Sequence, residues 1–63
     1  MKLCDFLRPV DGYTNVQIFS DGNEVFHDRE KELYILYGIG SAPFLTQEVK
    51  SVQVHNEMLI INL

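Results

Sequence analysis

Met58-Leu59-Ile60-Ile61-Asn62-Leu63 decides how this 63-residue chain folds. A strand repeats every two residues, so Leu59, Ile61 and Leu63 share one face while Met58 and Ile60 share the other. Both faces are apolar, and helices packed on one side of a sheet cover only one of them. The second face needs another cover, and this requirement outweighs any chemical motif in the chain.

The partner of this strand precedes it. Glu48-Val-Lys-Ser-Val-Gln-Val-His55 predicts a strand that turns tightly at Asn56-Glu57 into Met58, with Val52 and Val54 pointing at the core. An earlier hairpin is signalled by Thr14-Asn-Val-Gln-Ile-Phe19 and Glu24-Val-Phe-His27 around Asp21-Gly22, because a primed turn needs positive φ and glycine accepts it. Leu3, Phe6, Leu7 and Val10 follow helical spacing, but Pro9 disfavours helix at Arg8, which leaves a short helix over residues 2–7. Between the hairpins, Asp28 is placed to cap a helix of about ten residues that carries Glu30 in its first turn, buries Leu33, Leu36 and Tyr37, and stops at Gly38. The alternative for Leu33-Tyr-Ile-Leu-Tyr37 is a buried strand, since Tyr and Ile favour sheets.

The expected architecture is therefore one α+β domain: short helix, hairpin, helix, hairpin, with a four-stranded antiparallel sheet packed on helix. A small closed β-barrel is the alternative. Gly38-Ile-Gly-Ser-Ala-Pro43 reads as the flexible connection between the halves.

Composition narrows the function. At this length the core is near the lower limit for unaided folding, and a single cysteine allows no internal disulfide. Cys4, His27 and His55 are isolated and lack the paired spacing of a metal site, and no cofactor motif is present. Oligomerisation is the remaining support, and a homo-oligomer is expected through Met58, Ile60, Phe19 and Val25. No apolar run approaches the roughly 20 residues that span a bilayer, so no membrane segment is expected, and the free thiol points to the cytoplasm.

The net charge is −4 and uneven, with four basic and seven acidic residues in 1–32 against one and two in 33–63. Five scattered Lys and Arg residues form no basic stripe, which argues against direct nucleic-acid binding. The acidic run Asp21, Glu24, Asp28, Glu30 and Glu32 fits a basic partner surface, although Arg29 and Lys31 interrupt it. Tyr13, Tyr34 and Phe44 have no obvious inward assignment and are candidate partner contacts, unless the loop folds back and buries them. Cys4 with a histidine is the sole thiol–imidazole combination, and a small thiol on an amphipathic helix reads as packing; no enzyme is expected. Gly38-Ile-Gly40 lacks the remainder of a phosphate loop. A second class of function is retention of an anionic nucleotide between protomers, with Lys2, Arg8, Arg29, Lys31 or Lys50 beside Gly38 and Gly40.

The segments Leu3-Cys-Asp-Phe-Leu7, Val16-Gln-Ile-Phe-Ser-Asp-Gly22 and Glu48-Val-Lys-Ser-Val-Gln-Val, with Asn56 and Leu59-Ile-Ile, give a pattern that resembles short, mostly uncharacterised proteins encoded by phages and mobile elements of Gram-positive bacteria. The resemblance implies a non-enzymatic binder, of the kind represented by anti-CRISPR-like inhibitors and sponges for nucleotide signals. The leading expectation is an inhibitor that occupies a protein partner's surface.

Overall fold

In the computed structural model, which describes residues 1–40 and 42–63, both hairpins form around left-handed turns. β1 (Asn15–Ser20) and β2 (Asn23–Arg29) join through Asp21 and Gly22, whose φ angles are 52° and 81°. β3 (Ser51–His55) and β4 (Met58–Asn62) join through Asn56 and Glu57, at 49° and 62°. Positive φ at both central positions matches the right-handed twist of the flanking strands. Glu57 adopts it against the steric preference of a side-chain-bearing residue.

The sheet order is β2-β1-β4-β3, an open four-stranded sheet in an α+β fold. Each hairpin is antiparallel, but the two meet in parallel, with Val16 opposite Leu59 and Ile18 opposite Ile61. The sheet is therefore mixed, where antiparallel pairing throughout was expected. The chain crosses from β2 back over the sheet before β3 begins, and such a crossover is what brings two strands side by side in parallel. With β2 and β3 at the edges, the sheet does not close into the alternative barrel.

One face of the sheet carries the core. α1 (Leu3–Leu7) contributes Leu3 and Leu7, and the strands contribute Val16, Ile18, Phe26 and Ile61, with Leu63 following β4. After β2 the chain makes one 3-10 turn, Glu30–Glu32, and continues as α2 (Leu33–Gly38). Leu33 is buried and Leu36 packs against the core, so helix prevails over the strand alternative. A second 3-10 turn, Pro43–Thr46, follows and buries Phe44 against the same layer, beside Ala42.

Several local expectations change. Asp28 lies within β2 and caps no helix; its carboxylate accepts the Arg29 N–H at 2.7 Å. Gly38 is the last residue of α2, and the left-handed position after the helix belongs to Gly40, at φ 76°. Tyr37 points to solvent instead of the core. Val52 is also exposed, and Val54 is 72% exposed, although both share the helix-facing side with Ile61 and Leu59. The reason is reach: at about 1.5 Å per residue the five- and six-residue helices are shorter than the roughly 14 Å that four strands span.

The opposite face of the sheet bears no helix. Register places Met58 beside Asn15 and His55, Ile60 beside Gln17 and Gln53, and Phe19 beside Asn62 and Glu24. Met58, Ile60 and Phe19 are half-buried there, rimmed by polar side chains that bond one another: Gln17 Nε2 to Glu24 Oε1 at 2.9 Å and Asn62 Nδ2 to Ser51 Oγ at 3.1 Å. Between Ile18 and Phe19 the β1–β2 register slips, and Val25 has no partner opposite it.

Candidate functional site

A hollow lies between α1, α2 and the Pro43–Thr46 turn. Its volume is about 250 Å³, and its walls are Cys4, Leu7, Leu33, Tyr34, Tyr37, Leu45 and Thr46, with Glu30 the one acidic residue among them. A neighbouring hollow of about 200 Å³ shares Tyr37, Leu45 and Thr46 and extends to Gly40, Ala42 and Pro43. Together they form a groove along α2. Of the walls, Tyr34 (62%) and Tyr37 (66%) are largely exposed, and Ile35 (62%) and Ile39 (70%), which line neither hollow, are exposed as well. Helical geometry explains this. Leu33 and Leu36, three apart, take the inward stripe, and the remaining positions of an almost wholly apolar segment face outward.

Glu30 is only 3% exposed. Its placement is set by the loop that precedes β1: Glu30 N–H donates to the Thr14 carbonyl at 2.8 Å, and Lys31 N–H to the Gly12 carbonyl at 2.9 Å. A side chain at Gly12 would stand 3.1 Å from Lys31 Cβ and 3.7 Å from Glu30 Oε2, so the close approach of this loop depends on glycine. Hydrogen bonding to Glu30, reinforced by its charge, raises the Tyr34 phenol above its ordinary range. Among the described residues, none of the ion pairs includes Glu30.

The same loop builds a second cluster. Tyr13, exposed and held by an Asx-type bond from its N–H to Asp11 Oδ1 at 2.8 Å, carries Lys31 Nζ 4.6 Å from its ring centre and Arg29 Cζ 5.8 Å away. These are cation–π distances. Tyr13, Arg29 and Lys31 are thus brought together, whereas Lys50 precedes β3 at the far edge of the sheet and Arg8 pairs with Asp5 at 3.3 Å. Lys2 meets Glu48 through an isolated antiparallel backbone pairing, and the Glu48 carboxylate itself pairs with the N-terminal amine of Met1 at 2.6 Å. Gly40 reaches the groove; Gly38 does not, and Ser41 of the connecting segment lies outside the described residues.

The acidic run does not make one surface. Glu24 pairs with Phe19 and Asp28 with Val16, which puts them on opposite faces, while Asp21 sits in the hairpin turn and Glu30 is buried. Glu32 is half-buried. Phe44 is also buried, so of the three aromatic candidates Tyr13 and Tyr34 remain exposed. Cys4 is a free, exposed thiol on the helix side of the sheet, and His27 and His55 are on its other side. Among the described residues no three His, Cys, Asp or Glu side chains gather as metal ligands, and no helix is long and apolar enough to cross a membrane.

No family model matches the chain, and comparison with curated proteins and with solved structures finds no similar one. The groove, the cation–π cluster and the bare sheet face are therefore the ground on which function is argued. Sequence reasoning missed the groove because it assigned Tyr37 to the core and Glu30 to the surface. The signal for it was present in the apolar residues between Leu33 and Ile39, too many for one inward stripe.

Proposed function

We propose that this protein is a small non-enzymatic binder that acts in the cytoplasm by occupying the surface of a protein partner, as the phage and mobile-element inhibitors it resembles do. The observation that carries the reading is that α2 and the residue following it expose four large side chains, Tyr34, Ile35, Tyr37 and Ile39, each more than 60%, with Tyr34 and Tyr37 lining a groove. Contiguous exposed apolar surface with a polar surround marks association sites, and tyrosine is over-represented among the residues that dominate them. The test is affinity capture from host lysate with the tagged full chain and with a Tyr37→Asp, Ile39→Asp variant. A protein retained by the wild type and lost by the variant supports the reading; identical capture by both removes it.

The bare sheet face supports a second copy of the chain as a further partner, through Met58, Ile60 and Phe19 with Val25 at the margin. A central apolar trio within a polar rim is the usual anatomy of an interface. Light scattering at micromolar concentration tests this, and a mass of 7.3 kDa excludes it.

A second function is favoured by Tyr13 with Arg29 and Lys31, two cations converging on one exposed ring, which suits an anionic nucleotide. Thermal-shift measurements with nucleotides separate it from the first: stabilisation that grows with ligand concentration supports the ligand reading.

A further inference from the structure

The groove along α2 joins three features. Its walls are apolar, two tyrosines flank it, and it contains a carboxylate residue that is 97% removed from solvent yet belongs to none of the described ion pairs. A buried carboxylate is costly unless a cation or several hydrogen-bond donors meet it. Tyr34 shares the groove with Glu30 and lies near enough for hydrogen bonding to raise its phenol. The faces of Tyr34 and Tyr37 attract a cation, and the apolar walls suit an alkyl stem.

We propose that this groove takes a basic side chain of the protein partner, lysine or arginine, with its charge meeting Glu30 and its stem lying against Tyr34, Tyr37 and Leu45. The inference rests on the surface-binding reading above and names the chemistry of its central contact. The chain's net charge of −4 acts in the same direction, drawing a basic partner toward it. A volume of about 250 Å³ is ample for one such side chain and small for a larger ligand.

The experiment titrates the 15N-labelled full chain with Nα-acetyl-lysinamide, Nα-acetyl-argininamide and the uncharged Nα-acetyl-norleucinamide, following the amide signals of Leu33, Tyr34 and Leu45. The basic probes are expected to shift these signals saturably at about tenfold lower concentration than norleucinamide, the ratio a charge-assisted hydrogen bond confers. Glu30→Gln should abolish that preference while leaving the remaining amide spectrum in place. Equal response to all three probes, or an undiminished preference in Glu30→Gln, overturns the proposal. If Glu30→Gln does not fold, Tyr37→Ala replaces it, since Tyr37 is largely exposed: weakened binding of the basic probes supports the site, and unchanged binding overturns it. Lysate capture separates the two readings. Binding of basic probes through Glu30 with no partner captured sinks the surface reading alone, and a captured partner with indifferent probes sinks this one.

Discussion

Ile18 and Ile61 face each other across the parallel centre of the sheet, and neither exposes any surface. They lie within the β1–β4 pairing that ties the two hairpins together, next to Gln17 opposite Ile60 and Val16 opposite Leu59. Removing three methylene equivalents from such a site leaves a cavity in a core that has little material to collapse into it. Ile61→Ala is expected to lower stability by about 3–4 kcal/mol. Ile60→Ala, one residue earlier but on the bare face, should cost about 1 kcal/mol. Urea denaturation of the two variants measures the difference, and equal losses would contradict the face assignment.

The two hairpin turns predict opposite responses. Glu57 holds a left-handed conformation that glycine adopts freely, so Glu57→Gly should stabilise the fold by about 0.5–1 kcal/mol. Gly22→Ala should destabilise it by about 1 kcal/mol, since Gly22 sits at φ 81° with nothing near its missing side chain to compensate. Thermal melts of both variants against wild type decide the matter.

Gly38 and Gly40 give a second contrasting pair. Gly38 lies inside α2 with open space where a side chain would go, and Gly38→Ala should raise stability by about 0.5–1 kcal/mol. Gly40 follows the helix at positive φ, and Gly40→Ala should lower it by a similar amount, about 1 kcal/mol. A stabilised Gly40→Ala would show that α2 ends elsewhere.

Tyr34 makes the alkaline limb of stability sensitive to Glu30. Its phenol is raised in the folded protein, above the value of 10.0 that serves as the unfolded reference, first by hydrogen bonding to Glu30 and then by its charge. A raised folded value means the contribution is complete below pH 10 and is lost as pH rises through the folded value. Absorbance at 295 nm should show one of the three phenols titrating late in the wild type, and earlier in Glu30→Gln. Tyr34→Phe should remove the corresponding part of the fall in stability above pH 10.

The turn signals were legible in the sequence and the long-range arrangement was not, and the local cap expected of Asp28 failed because that residue is taken up in β2. Asp21-Gly22 and Asn56-Glu57 announced both hairpins, since a two-residue turn is decided by the residues that make it. The short helix ending before Pro9 was equally local. The parallel junction of β1 with β4 depends on where the chain crosses the sheet, which no neighbouring residues encode. Val52 and Val54 carry the alternation of a core strand, yet exposure follows from the length of the helices above them, a property of other segments. Glu30 misled for a related reason. Acidic residues are almost never buried, and only the docking of Gly12 and Thr14 onto residues 30 and 31 encloses this one.

The two margins of the sheet differ in kind. β2 ends the sheet with a register slip at Val25 and charged residues at Glu24, Asp28 and Arg29, the features that discourage a foreign strand from adding there. β3, Ser51-Val-Gln-Val-His55, has no charged Asp, Glu, Lys or Arg and is exposed along its whole length. Strand addition is consequently one-sided. Two copies joined edge to edge through β3 would present only guarded β2 margins outward, so growth would terminate at an eight-stranded pair and not continue into a fibre.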